Sequence, residues 1–379
     1  MGSSIEITVI GGGIAGASAA ASLQNHPSAP QVRLIEAEST LAYHTTGRSA
    51  AQLIENYGTE PIRALTKAGL DFFDAPPDGL TDHPLLSPQG LLTVATSEQA
   101  ENFEQEAEAG LRVNPRIEVI DPDKAAGLFK ALRYESIQQA LWEPDSRTID
   151  VANLHQAYIR WLRRAGGHVQ LERRATALTF AKQRWRIETA DGGDALGADL
   201  IVNAAGAWGD EVAAMAGLAP VNLAPLRRTA FMVKSDHGGS GSWPLLADID
   251  HNWYVKPDGA QFLCSPADET PSAPCDAKPF EIDVAMAIDR INTATTLDIV
   301  SVASSWAGLR TFAPDRNMVI GPDPEQSQFI WLVGQGGTGI QTSPAAGRLV
   351  RDLAIDGAPS QIFDEVGLDH LAFDPGRFR

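Results

Sequence analysis

The chain has 379 residues, 44% apolar and 21% charged, the composition of an ordinary globular protein at a length that fits two domains. Thirty basic against 48 acidic residues leave a net charge of −18, which argues against nucleic acid or an anionic membrane as partner. Two cysteines, Cys264 and Cys275, and eight histidines without an HxH or HExxH pairing provide neither a disulfide framework nor metal-ligand spacing. The start of the chain has no basic stretch followed by a long apolar run and fails the myristoylation pattern at Glu6, so neither a leader nor a lipid anchor is expected. No apolar run approaches ~20 residues, so no transmembrane segment is expected, and the expected location is cytoplasmic.

Residues 5–10, IEITVI, read as a buried parallel strand. GGGIAGASAAASL follows, with Gly11, Gly13 and Gly16 at the G-x-G-x-x-G positions. Gly11 permits the tight turn, Gly13 lets a pyrophosphate approach the backbone, and Gly16 lets the helix pack on the strand. The helix N-terminus, with Ile14 and Ala15, presents N–H groups and a positive dipole end to phosphates. A second strand spans 31–38, and Glu36 lies at its end, placed to accept hydrogen bonds from ribose hydroxyls. A glycine-rich turn with an ordinary surface glutamate is the plainer reading. Strand, helix, second strand and terminal acid together indicate a dinucleotide site, without saying which dinucleotide.

A polar segment, 39–58, then leads into a helix expected from about Thr46. Periodicity predicts helices over 59–74, 97–110, 148–165 and 279–293. It predicts strands over 90–95, 168–190 and 299–310, with short strands dominating 227–265. DLIVNAAGAWGDEVAAMAG (199–217) reads as buried strand, small-residue turn and helix. The chain closes with strand FIWLVG (329–334), a GQGGTGI turn and a helix from Gly339 to about Ile355. Nucleotide-type elements thus occur at the start, middle and end, with a β-rich portion between them and a cleft expected at the junction.

In order along the chain, VIGGGIAGAS, YHTTGRSAA, HPLLSP, VNAAGAW, LRRTAF, YVKPDG, WAGLRTF and GQGGTGIQTS resemble the D-amino-acid oxidase superfamily of FAD enzymes. The nearest likeness is to bacterial D-amino-acid dehydrogenases of the D-arginine dehydrogenase type. The resemblance implies an α/β fold: a Rossmann-like FAD-binding domain of glutathione-reductase type (1–80, 147–217 and 311–379). It also implies a discontinuous α+β substrate domain on a mixed sheet (81–146 and 218–310). The cofactor implied is noncovalent FAD, since no cysteine occurs near WAGLRTF.

Gly11, Gly13, Gly16 and Glu36 match the ADP-binding residues. His44, Thr45, Arg48, Ser49 and Ala50 match the segment passing the pyrophosphate and flavin ring. Ala175 falls at the adenine side. Ala204, Ala205, Gly206 and Trp208 resemble the turn beside the phosphates and ribityl chain. Gly336, Gly337, Thr338, Gly339, Ile340 and Gln341 resemble the turn that caps the flavin pyrimidine, where helix N–H groups offset negative charge. Arg310 matches the arginine that forks onto a substrate carboxylate, with a structural salt bridge as the plainer alternative. Tyr254 would reach the same carboxylate. Arg227 is a further contact, exchangeable with Arg228. Lys256 reads as a solvated strand residue. Tyr57 is either a cover for the active site or a core aromatic.

Two departures bear on substrate. Leu91 stands where D-arginine dehydrogenases carry the glutamate that faces the cationic side chain, and Gln52 replaces a histidine. With Leu53 and Ile54 they point to an apolar pocket and away from arginine, unless Glu55, Asp248 or Asp250 supplies a carboxylate. The implied activity is oxidative deamination of a D-amino acid to a 2-oxo acid and ammonia, by hydride transfer to flavin N5. An electron acceptor (quinone, dye-like or oxygen) completes it. Backbone carbonyls near Gly337 would receive the amine. A secondary amine such as sarcosine or proline, a 2-hydroxy acid, an NAD(P) dehydrogenase and a non-catalytic flavin-binding role are the alternatives.

Overall fold

The computed structural model describes residues 4–235, 237 and 242–379. The first three residues, on which the reading of the chain's start partly rests, lie outside them.

The strand Glu6–Ile10 is central to a six-stranded sheet because its residues from Ile7 onward are buried on both faces. Gln31–Ile35 and Leu200–Asn203 flank it in parallel. His168–Gln170 and Phe329–Val333 extend the sheet in parallel, and Val319–Pro322 closes one edge antiparallel. On one face lies the helix Ile14–Gln24, buried along its whole length between the helices Val151–Arg164 and Gly339–Arg351. Its run of alanines allows that fit, and Gly347 backs directly onto the Ser18 carbonyl. On the other face, the antiparallel strands Ala175–Ala181, Arg184–Thr189 and Leu196–Ala198 and the helix Gly209–Met215 bury Trp185, Ile187 and Val212 against Ile10, Phe329 and Trp331.

A second, mixed sheet has nine strands. Its longest pairing joins Ala224–Val233 to Ser304–Phe312, and Leu91–Ala95 beside Leu245–Asp248 is its parallel pair. Strand alternation divides its residues sharply. Leu92, Val94, Phe231, Val233, Val255, Phe262 and Cys264 face a core shared with Ala287 and Ile291 of the helix Glu281–Ala294. Arg228, Ala230, Tyr254 and Arg310 face the other way, into a groove between the two sheets.

Several expected elements differ. No helix starts at Thr46: a 3₁₀ turn, Thr45–Arg48, gives way to the short strand Gln52–Leu53, which pairs with Arg147–Ile149. Leu53 reaches the core through that pairing, and Ala51 takes a left-handed φ of 43° to allow it. The helix expected over 59–74 is broken at Gly69 into Glu60–Ala68 and Leu70–Asp74, where Gly69 packs on Ala345. The strand expected over 299–310 runs from Ser304 to Phe312. The last long helix ends at Arg351, followed by a π turn that closes on left-handed Gly357.

Candidate active site

Two cavities of about 970 and 840 Å³ share Thr45, Thr46, Gly206 and Ala207 and form one continuous groove. The first opens beside the glycine turn. Gly11 has φ 109°, and a Cβ there would lie 2.4 Å from the Ala204 carbonyl oxygen. A Cβ on Gly16 would lie 1.8 Å from the Gly11 carbonyl oxygen, so Gly16 serves helix packing and does not reach the wall. Ala15 is likewise buried inside the helix. Glu36 accepts hydrogen bonds from the backbone N–H of Gly12 (2.6 Å) and of Glu38 (2.9 Å), which fixes its carboxylate on the wall. Ala175, Ala204, Ala205, Gly206 and Trp208 line the same cavity. His44 pairs through Nε2 with Glu38 at 3.1 Å and leans on Trp208.

Two residues that sequence reasoning missed complete this end. Thr46 Oγ accepts the Ile14 N–H at 3.0 Å, capping a helix that has no side-chain cap of its own. His155 Nε2 donates to the Gly12 carbonyl at 3.0 Å, and burial lowers its pKa, which keeps it neutral. Its place on an otherwise apolar helix face was the available signal.

The second cavity holds Arg310, Tyr254, Arg228, Ser49, Ala50, Ile14, Gly336, Gly337, Gly339 and Ile340 on its wall. Arg310 Nη1 donates to the Tyr57 hydroxyl at 3.3 Å, and the guanidinium lies so close to Gly337 that a Cβ there would come within 2.7 Å of Nη1. The Arg310 charge holds the Tyr57 hydroxyl below its ordinary pKa, against the opposing effect of burial.

The structure corrects several expectations at this end. Arg227 points away from the cavity, with its guanidinium 3.6 Å over the Phe280 ring. Arg228 lines the wall instead. Strand parity explains the exchange: Arg227 shares the face of Phe231 and Val233, which the bulk of those side chains could have revealed. Gln341 is buried and turned from the groove. It donates to the Ile54 carbonyl (3.1 Å) and Thr66 Oγ (2.9 Å) and accepts from the Ile54 N–H (3.1 Å). Thr338 precedes the helix and donates to the Gln335 carbonyl. Gln52 bonds Ser146 at 2.9 Å and accepts from Thr148 at 3.3 Å, off the wall. Leu91 is buried in its strand between Leu245 and Glu143 and is not a wall residue. Asp248 and Asp250 are tied to Gln99. Lys256 is not solvated: it is 5% exposed and donates to the Ala50 carbonyl at 2.6 Å. Burial pushes its pKa down to about 8. Arg48 lines the groove, but its guanidinium binds Asp276 and the Ala277 and Ala307 carbonyls.

His44, Thr311 and Gln335, three residues of the groove lining, each keep a buried polar atom without a protein partner: Nδ1, Oγ and Nε2. With two glycine turns, each before a helix N-terminus, they suit a long ligand carrying phosphates and a hydrogen-bonding ring. The sequence model of the DAO family, described as FAD dependent oxidoreductase, matches residues 6–353. The chain belongs to this family. In keeping with that, it is 24% identical to FAD-dependent oxidoreductase domain-containing protein 1 of Xenopus laevis, over 97% of this chain and 82% of that one. It is 26% identical to mitochondrial dimethylglycine dehydrogenase of Mus musculus over 69% of this chain, which spans 31% of that relative. Among solved structures, L-proline dehydrogenase from P. horikoshii is similar at TM-score 0.85 and 19% identity, covering 100% and 98% of the two chains. Glycine oxidase from Geobacillus kaustophilus is similar at TM-score 0.84 and 19% identity, covering 98% of each. This DAO-family chain has the family's FAD-binding α/β fold with mixed sheets, and FAD is its cofactor. It is an FAD-dependent oxidoreductase of this family. Among the described residues, no helix is long and apolar enough to cross a membrane.

Proposed function

We propose that the chain oxidises a small α-amino acid held by its carboxylate, with D-amino acids as the first substrates to try. The observation that carries this reading is Arg310. It is a guanidinium set into the groove wall against Gly337, with the Tyr57 hydroxyl as its side-chain partner and no carboxylate paired to it among the described residues. A carboxylate arriving there meets two parallel N–H donors and displaces little. Tyr254, on the same wall, supports the clamp, and Gly337 leaves its backbone open to the amine. FAD, when bound, accepts the two electrons that turn amine into imine, and water hydrolyses the imine to a 2-oxo acid and ammonia. The wall residues orient the substrate Cα and exclude water.

The D-configuration and a dehydrogenase rather than an oxidase reaction rest on the motif likeness to D-arginine dehydrogenases. Arginine itself has no counter-charge here, since no Asp or Glu lines the second cavity among the described residues. The apolar preference loses its support, because Leu91 does not reach the wall. L-Proline dehydrogenase and dimethylglycine dehydrogenase among the similar proteins favour a secondary or N-substituted amine as the second reading. The division into an FAD-binding part (1–80, 147–217, 311–379) and a substrate part (81–146, 218–310) belongs to the same proposal. So does noncovalent attachment, which acid precipitation tests by releasing the yellow colour. Neither Cys264 nor Cys275 lies on the groove wall. An anaerobic panel of D- and L-amino acids, secondary amines and 2-hydroxy acids, scored by flavin bleaching, tests the reaction. In Arg310→Met we expect KM to rise by about 100-fold or more; an unchanged KM removes the assignment.

A further inference from the structure

We propose that the preferred substrate carries a second carboxylate and that Arg228 is the residue that selects it. The inference deepens the clamp reading of Arg310 and rests on it.

Charge makes the first argument. Three arginines line the second cavity, Arg48, Arg228 and Arg310, and no carboxylate lines it among the described residues. Arg48 is matched outside the wall by Asp276 at 2.5 Å. Among the described residues, Arg310 has only the Tyr57 hydroxyl as a side-chain partner. Arg228 is nearly buried, with its side chain 13% exposed. Its Nε donates to the Asp268 carbonyl at 2.8 Å, and its Nη2 reaches Glu269 at 3.3 Å. Glu269 is held more closely by Arg316, at 2.8 and 3.1 Å. The nearby Asp268 carboxylate is already engaged by the Thr229 N–H and hydroxyl. Nη1 of Arg228 makes no hydrogen bond among the described residues. Burial, and then repulsion from Arg310, push the Arg228 pKa down to about 10. With one substrate carboxylate on Arg310, Arg228 keeps only Glu269, which it shares with Arg316; a second carboxylate would give Arg228 a partner of its own.

Geometry makes the second. Leu226 stands opposite Arg310 and Arg228 opposite Gly308, so Arg228 and Arg310 are diagonal neighbours on one sheet face. Such positions have their side-chain roots about 7 Å apart. Two arginines rooted this close on one face can each take one end of a short amino dicarboxylate, or of a glycine bearing an N-carboxymethyl group, with its amine between the two ends. The side chain of a neutral amino acid would leave Arg228 with no carboxylate but Glu269, which Arg316 holds more closely.

Two isosteric pairs test this, D-aspartate against D-asparagine and D-glutamate against D-glutamine, with iminodiacetate against the smaller sarcosine as a third comparison, each as kcat/KM for anaerobic flavin bleaching. We expect the doubly charged member to be preferred by about tenfold or more in at least one pair. In Arg228→Gln the ratio for that pair falls to near one, and Arg228→Lys restores part of it. A folding defect shows separately as lost FAD content. Absence of preference in the wild type, or an equal loss for both members in Arg228→Gln, overturns the proposal in favour of two arginines sharing one carboxylate. Glutarate and butyrate, which cannot be oxidised, separate this idea from the reaction. If the amine panel is silent but glutarate, unlike butyrate, perturbs the flavin spectrum of the wild type and not of Arg228→Gln, the dicarboxylate site stands and amine oxidation falls. If neither responds, both fall.

Discussion

Tyr57 and Arg310 illustrate how one residue's charge sets another's chemistry. The Tyr57 hydroxyl accepts from Arg310 and is held below its ordinary pKa by that cation. While protonated, it leaves Arg310 positive, as the proposed carboxylate clamp requires. Once deprotonated, it neutralises Arg310 and repels an incoming carboxylate. In the free enzyme kcat/KM therefore falls as pH rises through a Tyr57 pKa that lies below the usual tyrosine value near 10. Tyr57→Phe should move that alkaline limb to higher pH while lowering kcat/KM at neutral pH by about tenfold, the worth of one charge-assisted hydrogen bond. A pH profile identical in the two proteins removes Tyr57 from the clamp. Neither fact was readable in the motif that holds Tyr57, which placed it at a helix end. The partner of its hydroxyl lies 253 residues away.

At the scale of elements, the groove is built from helix N-termini made approachable by glycine. Gly11, Gly13 and Gly16 were legible because each answers a local demand: a turn, a close approach, a tight packing. Thr46 was not, because its partner is the N–H of Ile14, on another element. Its segment shows why the expected helix fails. Thr46 Oγ caps a neighbouring helix, Leu53 joins a strand pairing, and Lys256 grips the Ala50 carbonyl between them. These tertiary ties outweigh modest helix propensity. Thr46→Val should cost about 1 kcal/mol of stability, as for a lost N-cap. Since Ile14 and Thr46 both line the groove, it should also weaken FAD binding several-fold, read as the FAD dissociation constant by flavin fluorescence. Thr46→Ser should restore both. Loss of stability with unchanged FAD affinity would place Thr46 in the scaffold alone. The arginine pair in LRRTAF shows the same limit in reverse: the motif located the strand, and only its parity against Phe231 and Val233 decided which guanidinium enters the groove.

Across the whole molecule, the two sheets meet along one polar seam. Arg48 reaches Asp276, Trp306 donates to the Arg48 carbonyl, and Lys256 reaches Ala50. The nine-stranded sheet continues past the groove to Glu143, directly opposite Leu91. Glu143 is 8% exposed, and its pKa is pushed up to about 7. Burial does most of this. Arg63 opposes it, and Glu106 and Glu55 add to it. A carboxyl raised in the folded state holds its proton there while the unfolded chain has already lost it. Stability from this group is therefore present in full below the unfolded pKa near 4.3 and declines as pH rises to about 7, with no further loss above. The chain's net charge of −18 adds a general loss of stability with rising pH, through self-repulsion. Comparison with Glu143→Gln isolates the one group. Denaturant unfolding at a series of pH values should show the wild type losing up to roughly 3 kcal/mol relative to Glu143→Gln between pH 4.5 and 7.5, with the two curves parallel above that range. Parallel curves from pH 4.5 onward would mean that Glu143 ionises in the folded protein as it does in water, and that its place beside Leu91 leaves it solvated.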